Sequence, residues 1–391
     1  MNLVVPKTAA ELDFGFALPH RRMEDWRWTD LRQLIDRPYP PRQKIDASAK
    51  DVDRLIASSP FARIAGARMV FVNGHLSVAH SQLKRGNVET RISNDEPVLH
   101  MNRVFVTDGA HLKITGTDDT PIELLFLSTN AAPRTIATRN VIEVAKGASA
   151  TLIETHVGEG AYLSNSVTEI RLAESARLDR IKVELEAREA IHLSHSHVVL
   201  SKNSVLNDFT LTSGAKVNRQ NGTVEFAGQG IDAKVSGAFM LGGKQHADTR
   251  LVIDHQVPRC TSRELFKCVM DDHARGIFQG KVVVRKDAQK TDGKQSSHAL
   301  LLSETAEFDA KPELEIFADD VVCGHGATSG DLNHDHLFYL MSRGVPPAEA
   351  KSLLIAAFVG EAFDLIVHEG IKEALVKFSN KWLTRHGGGH A

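Results

Sequence analysis

The chain has 391 residues, with 47 Lys and Arg against 49 Asp and Glu, a formal net charge of −2. That balance argues against a general nucleic-acid binder, which carries a basic excess or a basic stripe. Hydrophobic residues at 42% and charged residues at 25% are ordinary for a globular protein, and no run approaches the ~18–20 apolar residues of a membrane span.

The first residues, Met1 to Lys7, lack the basic-then-apolar layout of a secretion signal, and Glu11 and Asp13 arrive early. Cys260, Cys268 and Cys323 form no C-x-x-C pair, and an odd count fits no fully paired framework. Both features predict a cytoplasmic chain with free thiols. Glu24 to Ile35 carries apolar residues at helical intervals, and Pro38, Pro40 and Pro41 stop it. Asp51 to Ala57 predicts another short helix.

From about 100 to 317 short runs rich in Val, Ile, Leu and Thr alternate with polar residues, as in Val141–Val144, Thr168–Leu172 and Lys281–Val284. A period of two marks half-buried strands. The turns around Gly147, Ser175 and Asn203 are spaced by 28 residues, and a further one at Gln229 follows 26 later. Fixed periods without intervening helix predict stacked β-coils, a β-helix or solenoid; evenly spaced hairpins of a β-sandwich are the alternative.

Helical periodicity returns after 317. Asp331 is placed to cap a helix holding Leu337, Phe338, Leu340 and Met341. Arg343-Gly344-Val345-Pro346-Pro347 ends it and starts a second, through Leu353, Leu354, Phe358 and Phe363; a third follows through Ile371, Leu375 and Phe378. His386 to Ala391 is expected to fray. The chain thus divides into a helical region with the first strands (1–90), a strand core (91–320) and a helical C-terminal region (321–391).

Cys323-Gly324-His325 stands between the strand zone and the last helices. Thiolate and imidazole suit iron–sulfur chemistry or zinc. Two donors cannot complete a tetrahedral site, so a partner or other residues must supply the rest; the alternative is a buried cysteine beside a turn histidine. Asn333-His334-Asp335-His336 reads as a solvated helix start. His195 and His197 share one strand face and His192 points to the other. No phosphate loop, nucleophile elbow or zinc-protease helix is present, which shifts weight from an enzyme toward a scaffold.

Several segments together resemble the SufB/SufD family of SUF-system iron–sulfur assembly proteins. Leu18 to Leu31, with Glu24, Trp26 and Thr29, is similar to the family's N-terminal motif. Arg263–Lys267, Gly276–Lys281, Pro312–Ile316, Ala318–Val321, Cys323–Thr328 and Leu337–Gly344 follow in the family's order. Gly326 stands where SufB-type chains carry Glu after C-x-H, and Lys294–His298 has no thiol, so the chain resembles the SufD type. Gly324 replaces an expected Ser.

The resemblance implies a right-handed parallel β-helix with α-helical ends and no catalysis of its own. It implies pairing with SufB through the C-terminal strands, docking of the ATPase SufC on the C-terminal helices, and a possible homodimer when SufB is absent. A transient iron–sulfur cluster would be shared with SufB, with His325 as a metal ligand and Cys323 a weaker candidate. Competing expectations are a SufB-type scaffold, a self-contained metal binder and a solenoid enzyme acting on polysaccharide.

Overall fold

The computed structural model describes residues 14–41, 46–86, 89–92, 96–129 and 132–386. Met1 to Lys7 lies outside them, as does 387–391 of the end expected to fray, whereas His386 closes the last helix with its ring stacked on Trp382. Strands begin with a hairpin, β1 (Ala67–Val72) and β2 (His75–Leu76), and β3 (His111–Ile114) opens the second sheet. Thereafter the chain alternates between two sheets.

One sheet has ten strands and adds β4 (Ile122–Ser128), β6 (Ser149–Gly158), β8 (Arg177–Leu185), β10 (Val205–Thr212), β12 (Asp232–Leu241), β14 (Thr261–Met270), β16 (Asp292–Leu301) and β18 (Val322–Gly330). The other has eight, continuing through β5 (Thr135–Val144), β7 (Leu163–Leu172), β9 (Ile191–Leu200), β11 (Val217–Phe226), β13 (His246–His255), β15 (Arg275–Val284) and β17 (Glu307–Ile316). From β3 onward every pairing is parallel and skips one strand, as in β6–β8 and β7–β9. That topology is a parallel β-helix and excludes the sandwich of hairpins.

The repeat follows from its corners. Gly147, Ser175, Asn203, Gly230, Arg259 and Lys290 all adopt left-handed φ. Gly147, Ser175 and Asn203 donate their amides to the carbonyls of Glu174, Lys202 and Gln229 in the next coil. The fourth left-handed corner is Gly230 rather than Gln229; without a Cβ it takes that φ at least cost. Register keeps the 28-residue step where it was read, Ala150 beside Leu178 and Leu178 beside Leu206.

The interior has two characters. Inward rows at one corner are apolar, with Ala150, Leu178 and Leu206 facing Ile142, Ile170 and Val198. At the other corner the middle coils bury charged and polar side chains, among them Glu154, Arg180 and Glu184. The outer faces are apolar where helices cover them. Ile181, Val183, Phe209 and Leu211 meet Ile355, Val359, Ile371 and Leu375 of two C-terminal helices, α5 (Pro347–Phe363) and α6 (Glu369–His386).

The N-terminal run forms a single 3-10 turn at Glu24–Trp26 and a short α1 (Leu31–Leu34) rather than one helix. Packing of Trp26, Leu31 and Tyr39 against Leu163, Ile191 and Val217 holds it against the eight-stranded sheet. Helix α2 (Ala49–Ser58), capped by Ser48, sets Val52 and Leu55 on Leu125 and Val157. Helix α3 (Pro97–Phe105) falls where no helical periodicity was read. Glu96 caps it, Pro97 starts it, and Asn102 bonds the carbonyls of Thr138 and Asn165. Helix α4 (His334–Ser342) is capped by Asn333, not Asp331: the Asn333 side chain accepts from the amides of Asp335 and His336.

Candidate metal centre

The solenoid ends unevenly. At its start β1 turns back as a hairpin with β2, whereas β17 and β18 are the terminal strands of their sheets and pair only inward, with β15 and β16. Edge strands carry a row of unsatisfied amides and carbonyls. Ile316, Phe317 and Val322 are exposed beside these edges.

Cys323 and His325 lie on β18, in register with Gly293 and Gln295 of β16. Two residues apart on a strand, they share the face that continues the interior. Cys323 is half-buried against the apolar core, and burial pushes its thiol up from the ordinary cysteine value. His325 is exposed. Among the described residues no His, Cys, Asp or Glu joins them as a third donor within 4.8 Å.

Beneath them runs a row that sequence reading passed over. Glu264 of β14 stands beside Gln295, and Gln295 beside His325, all on inward positions. Both carboxylate oxygens of Glu264 and both polar atoms of the Gln295 amide are buried without hydrogen-bond partners. Burial pushes the Glu264 carboxyl up to about 8. The signal was present in the alternation: Glu264 interrupts an inward series of Ser262, Phe266 and Cys268, a place where a strand buries side chains. Gly280 leaves room for Gln295, since a Cβ there would fall 2.1 Å from its Nε2.

The remaining candidates separate. Asn333 and Asp335 serve the start of α4, and His334 and His336 are exposed. His197 is held by Glu225 at 2.8 Å and His195 lies buried beside Glu96 on the same outer face. His192 points inward and is fully buried. Cys260, Cys268 and Cys323 are all free, the first two buried. Phe358 packs half-buried with Lys267 Nζ 4.6 Å from its ring centre, whereas Phe338 and Tyr339 on α4 are 73% and 57% exposed.

A family model for the SUF system FeS cluster assembly SufBD core domain matches residues 126–358, which span β5 to β18 and reach into α5. The chain belongs to the SufBD family. It is 29% identical over 384 residues to the iron-sulfur cluster assembly protein SufD of Escherichia coli, covering 92% of this chain and 88% of that one. It is 30% identical over 395 residues to an iron-sulfur cluster assembly SufBD family protein of Synechocystis, covering 92% and 86%. A chloroplastic protein of Arabidopsis thaliana, ABCI7, is 31% identical over 242 residues, 60% of this chain and 50% of that one. The matched SufBD core ends beyond Cys323 and His325, so both lie within it. No helix among the described residues is long and apolar enough to cross a membrane.

Proposed function

We propose that this SufBD protein is a non-catalytic scaffold subunit of a cytoplasmic SUF complex. In this reading it pairs with SufB through β17 and β18 and docks the ATPase SufC on its C-terminal helices, where ATP hydrolysis belongs to SufC. The nascent iron–sulfur cluster is cargo at the shared face. His325 contributes a ligand beside a SufB thiolate, and Cys323 is the weaker donor because a thiol held protonated by burial is a poor ligand.

One observation carries the reading: both sheets terminate together at unpaired edges, with exposed apolar residues and His325 beside them. Strand addition across such edges is a common mode of recognition. Two donors on one chain leave a ligand set to be completed from the other side. Exposed Phe338, Tyr339 and Leu353 support a second, helical contact for SufC. Without SufB the same edges are open to a second copy of this chain.

Co-expression with SufB and SufC should yield a three-protein complex, and its absence would remove the proposal. Cluster reconstitution on that complex should fall sharply with His325→Ala and less with Cys323→Ser. Unchanged loading in His325→Ala would discard the ligand assignment while leaving the scaffold role intact.

A further inference from the structure

Charge inside a β-solenoid is costly unless each group is answered by another. In the middle coils four carboxylates, Glu154, Glu184, Glu186 and Asp208, meet two permanent cations, Arg180 and Lys182. Arg180 bridges Glu154 at 2.8 Å and Asp208 at 3.0 Å, and Lys182 Nζ lies 2.6 Å from Glu184. Arg134, further along, is bonded to Asn73, Ser128 and Thr129. Counted without the two imidazoles among them, these groups are formally two units negative. Glu186 is the least satisfied member. Its Oε1 meets His192 Nδ1 at 2.6 Å, and its Oε2 is buried with no hydrogen-bond partner.

Two imidazoles converge on that carboxylate. His156 and His192 are almost perpendicular, with ring centres 4.8 Å apart, and both are buried. One nitrogen from each ring and one oxygen of Glu186 lie within 4.8 Å of one another. A cavity of about 20 Å³, bounded by His156, Glu186, Tyr162 and Ser128, adjoins them. That is room for a single ion or water. Each ring also has a nitrogen backed by a second carboxylate, His156 Nε2 by Glu154 at 2.9 Å and His192 Nε2 by Glu184 at 3.0 Å. Such backing fixes the orientation of imidazole ligands around a metal.

We infer that His156, Glu186 and His192 form a binding site for one divalent first-row transition ion inside the β-helix, separate from Cys323 and His325. Two imidazoles and one carboxylate are the donor set of non-haem iron(II) and of many zinc(II) centres. Neighbouring donors on one ion at ~2.1 Å stand about 3 Å apart, so the set closes by small side-chain rotations about the His192–Glu186 contact. The site does not depend on the reading of the open end, because it lies on inward rows of β6 and β9 and on the residue after β8.

Cobalt(II) is the probe. Untagged chain is produced in minimal medium containing Co(II), so that the ion is present as the coils close, and its metal content and visible spectrum are measured. About one Co(II) per chain is expected, with d–d bands and no thiolate-to-cobalt charge transfer. A Cys323→Ser, His325→Ala double variant should keep that ion, whereas Glu186→Gln and His192→Gln should lower cobalt content at least tenfold with unchanged circular dichroism. Equal cobalt in wild type and a folded Glu186→Gln chain overturns the site, as does cobalt lost only with His386→Ala; His386 stands with Asp271 and Asp272 as the other such donor group among the described residues. Should the buried variants fail to fold, the double variant decides alone: cobalt below a tenth of an equivalent in it refutes the assignment.

Discussion

The guanidinium carbon of Arg219 lies 4.5 Å from the centre of the Trp26 ring, joining the eight-stranded sheet to the N-terminal segment. Arg219 is fully buried and ion-paired with Asp248, which also accepts a hydrogen bond from Thr29 Oγ1. The Trp and Thr of the N-terminal motif are thus the two faces of one dock. Trp26→Ala should cost about 3–5 kcal/mol as a large cavity. Arg219→Ala should cost a similar ~3–5 kcal/mol, because it strands the Asp248 charge. Urea unfolding of the two single variants and the double should show non-additive losses; simple additivity would mean the contact is incidental.

Gly276 and Gly280 occupy alternate inward positions of β15, and both are spacers. A Cβ at Gly276 would sit 3.1 Å from Met270 Sδ and 3.2 Å from Phe239, and at Gly280 it would collide with Gln295. Gly280→Ala should therefore destabilise by about 1–3 kcal/mol through overpacking. Adding Gln295→Ala should recover part of that loss, since the crowded amide is removed. A double variant no more stable than Gly280→Ala would show that the crowding lies elsewhere.

Burial sets opposite pH limbs. It pushes His195 down to about 3, and His246 and His255 down to about 4, from an ordinary 6.5. The unfolded chain therefore binds protons first, and stability falls as pH drops from about 6.5 toward 4. Glu264 acts in the other direction. It keeps its proton to about 8 when folded but ionises near 4.5 when unfolded, so stability declines as pH rises between those values. Glu264→Gln should flatten that decline, by at most about 1.4 kcal/mol per pH unit. Unfolding midpoints across the range check this, and an unchanged slope would show that the carboxyl is already ionised in the folded chain.

The helical surface offers a test of SufC docking that leaves the fold alone. Phe358 packs half-buried against Lys267, so its replacement would disturb the α5 interface with the sheet. Phe338 and Tyr339 face outward. Phe338→Asp with Tyr339→Asp should weaken SufC association at least tenfold, about 1.4 kcal/mol or more, at an unchanged unfolding midpoint. Undiminished association would move the dock off α4.

Much of the architecture was legible because a solenoid is quasi-one-dimensional. Period-two alternation marked strands such as Val141–Val144, and the 28-residue step at Gly147, Ser175 and Asn203 marked the coils that neighbours complete. The short helix at Pro97 was not legible, since its stability comes from Asn102 reaching the strand carbonyls of Thr138 and Asn165. Nor was the broken N-terminal run, where burial of Trp26, Leu31 and Tyr39 on the sheet overrides helical spacing. Cys323 and His325 stood out as a short motif, but Glu264 and Gln295 are ordinary residues until parity places them beneath His325.

Local preference and fixed period, both properties of neighbouring residues, were enough to specify stacked strands, turn positions and the family's order of motifs. The lateral alignment of coils decided the rest. It alone brought His156, Glu186 and His192 together and left β17 and β18 paired on one side only. The reason is geometric: residues in contact across a coil lie about thirty positions apart, and only closure of the sheets converts that separation into a few ångströms.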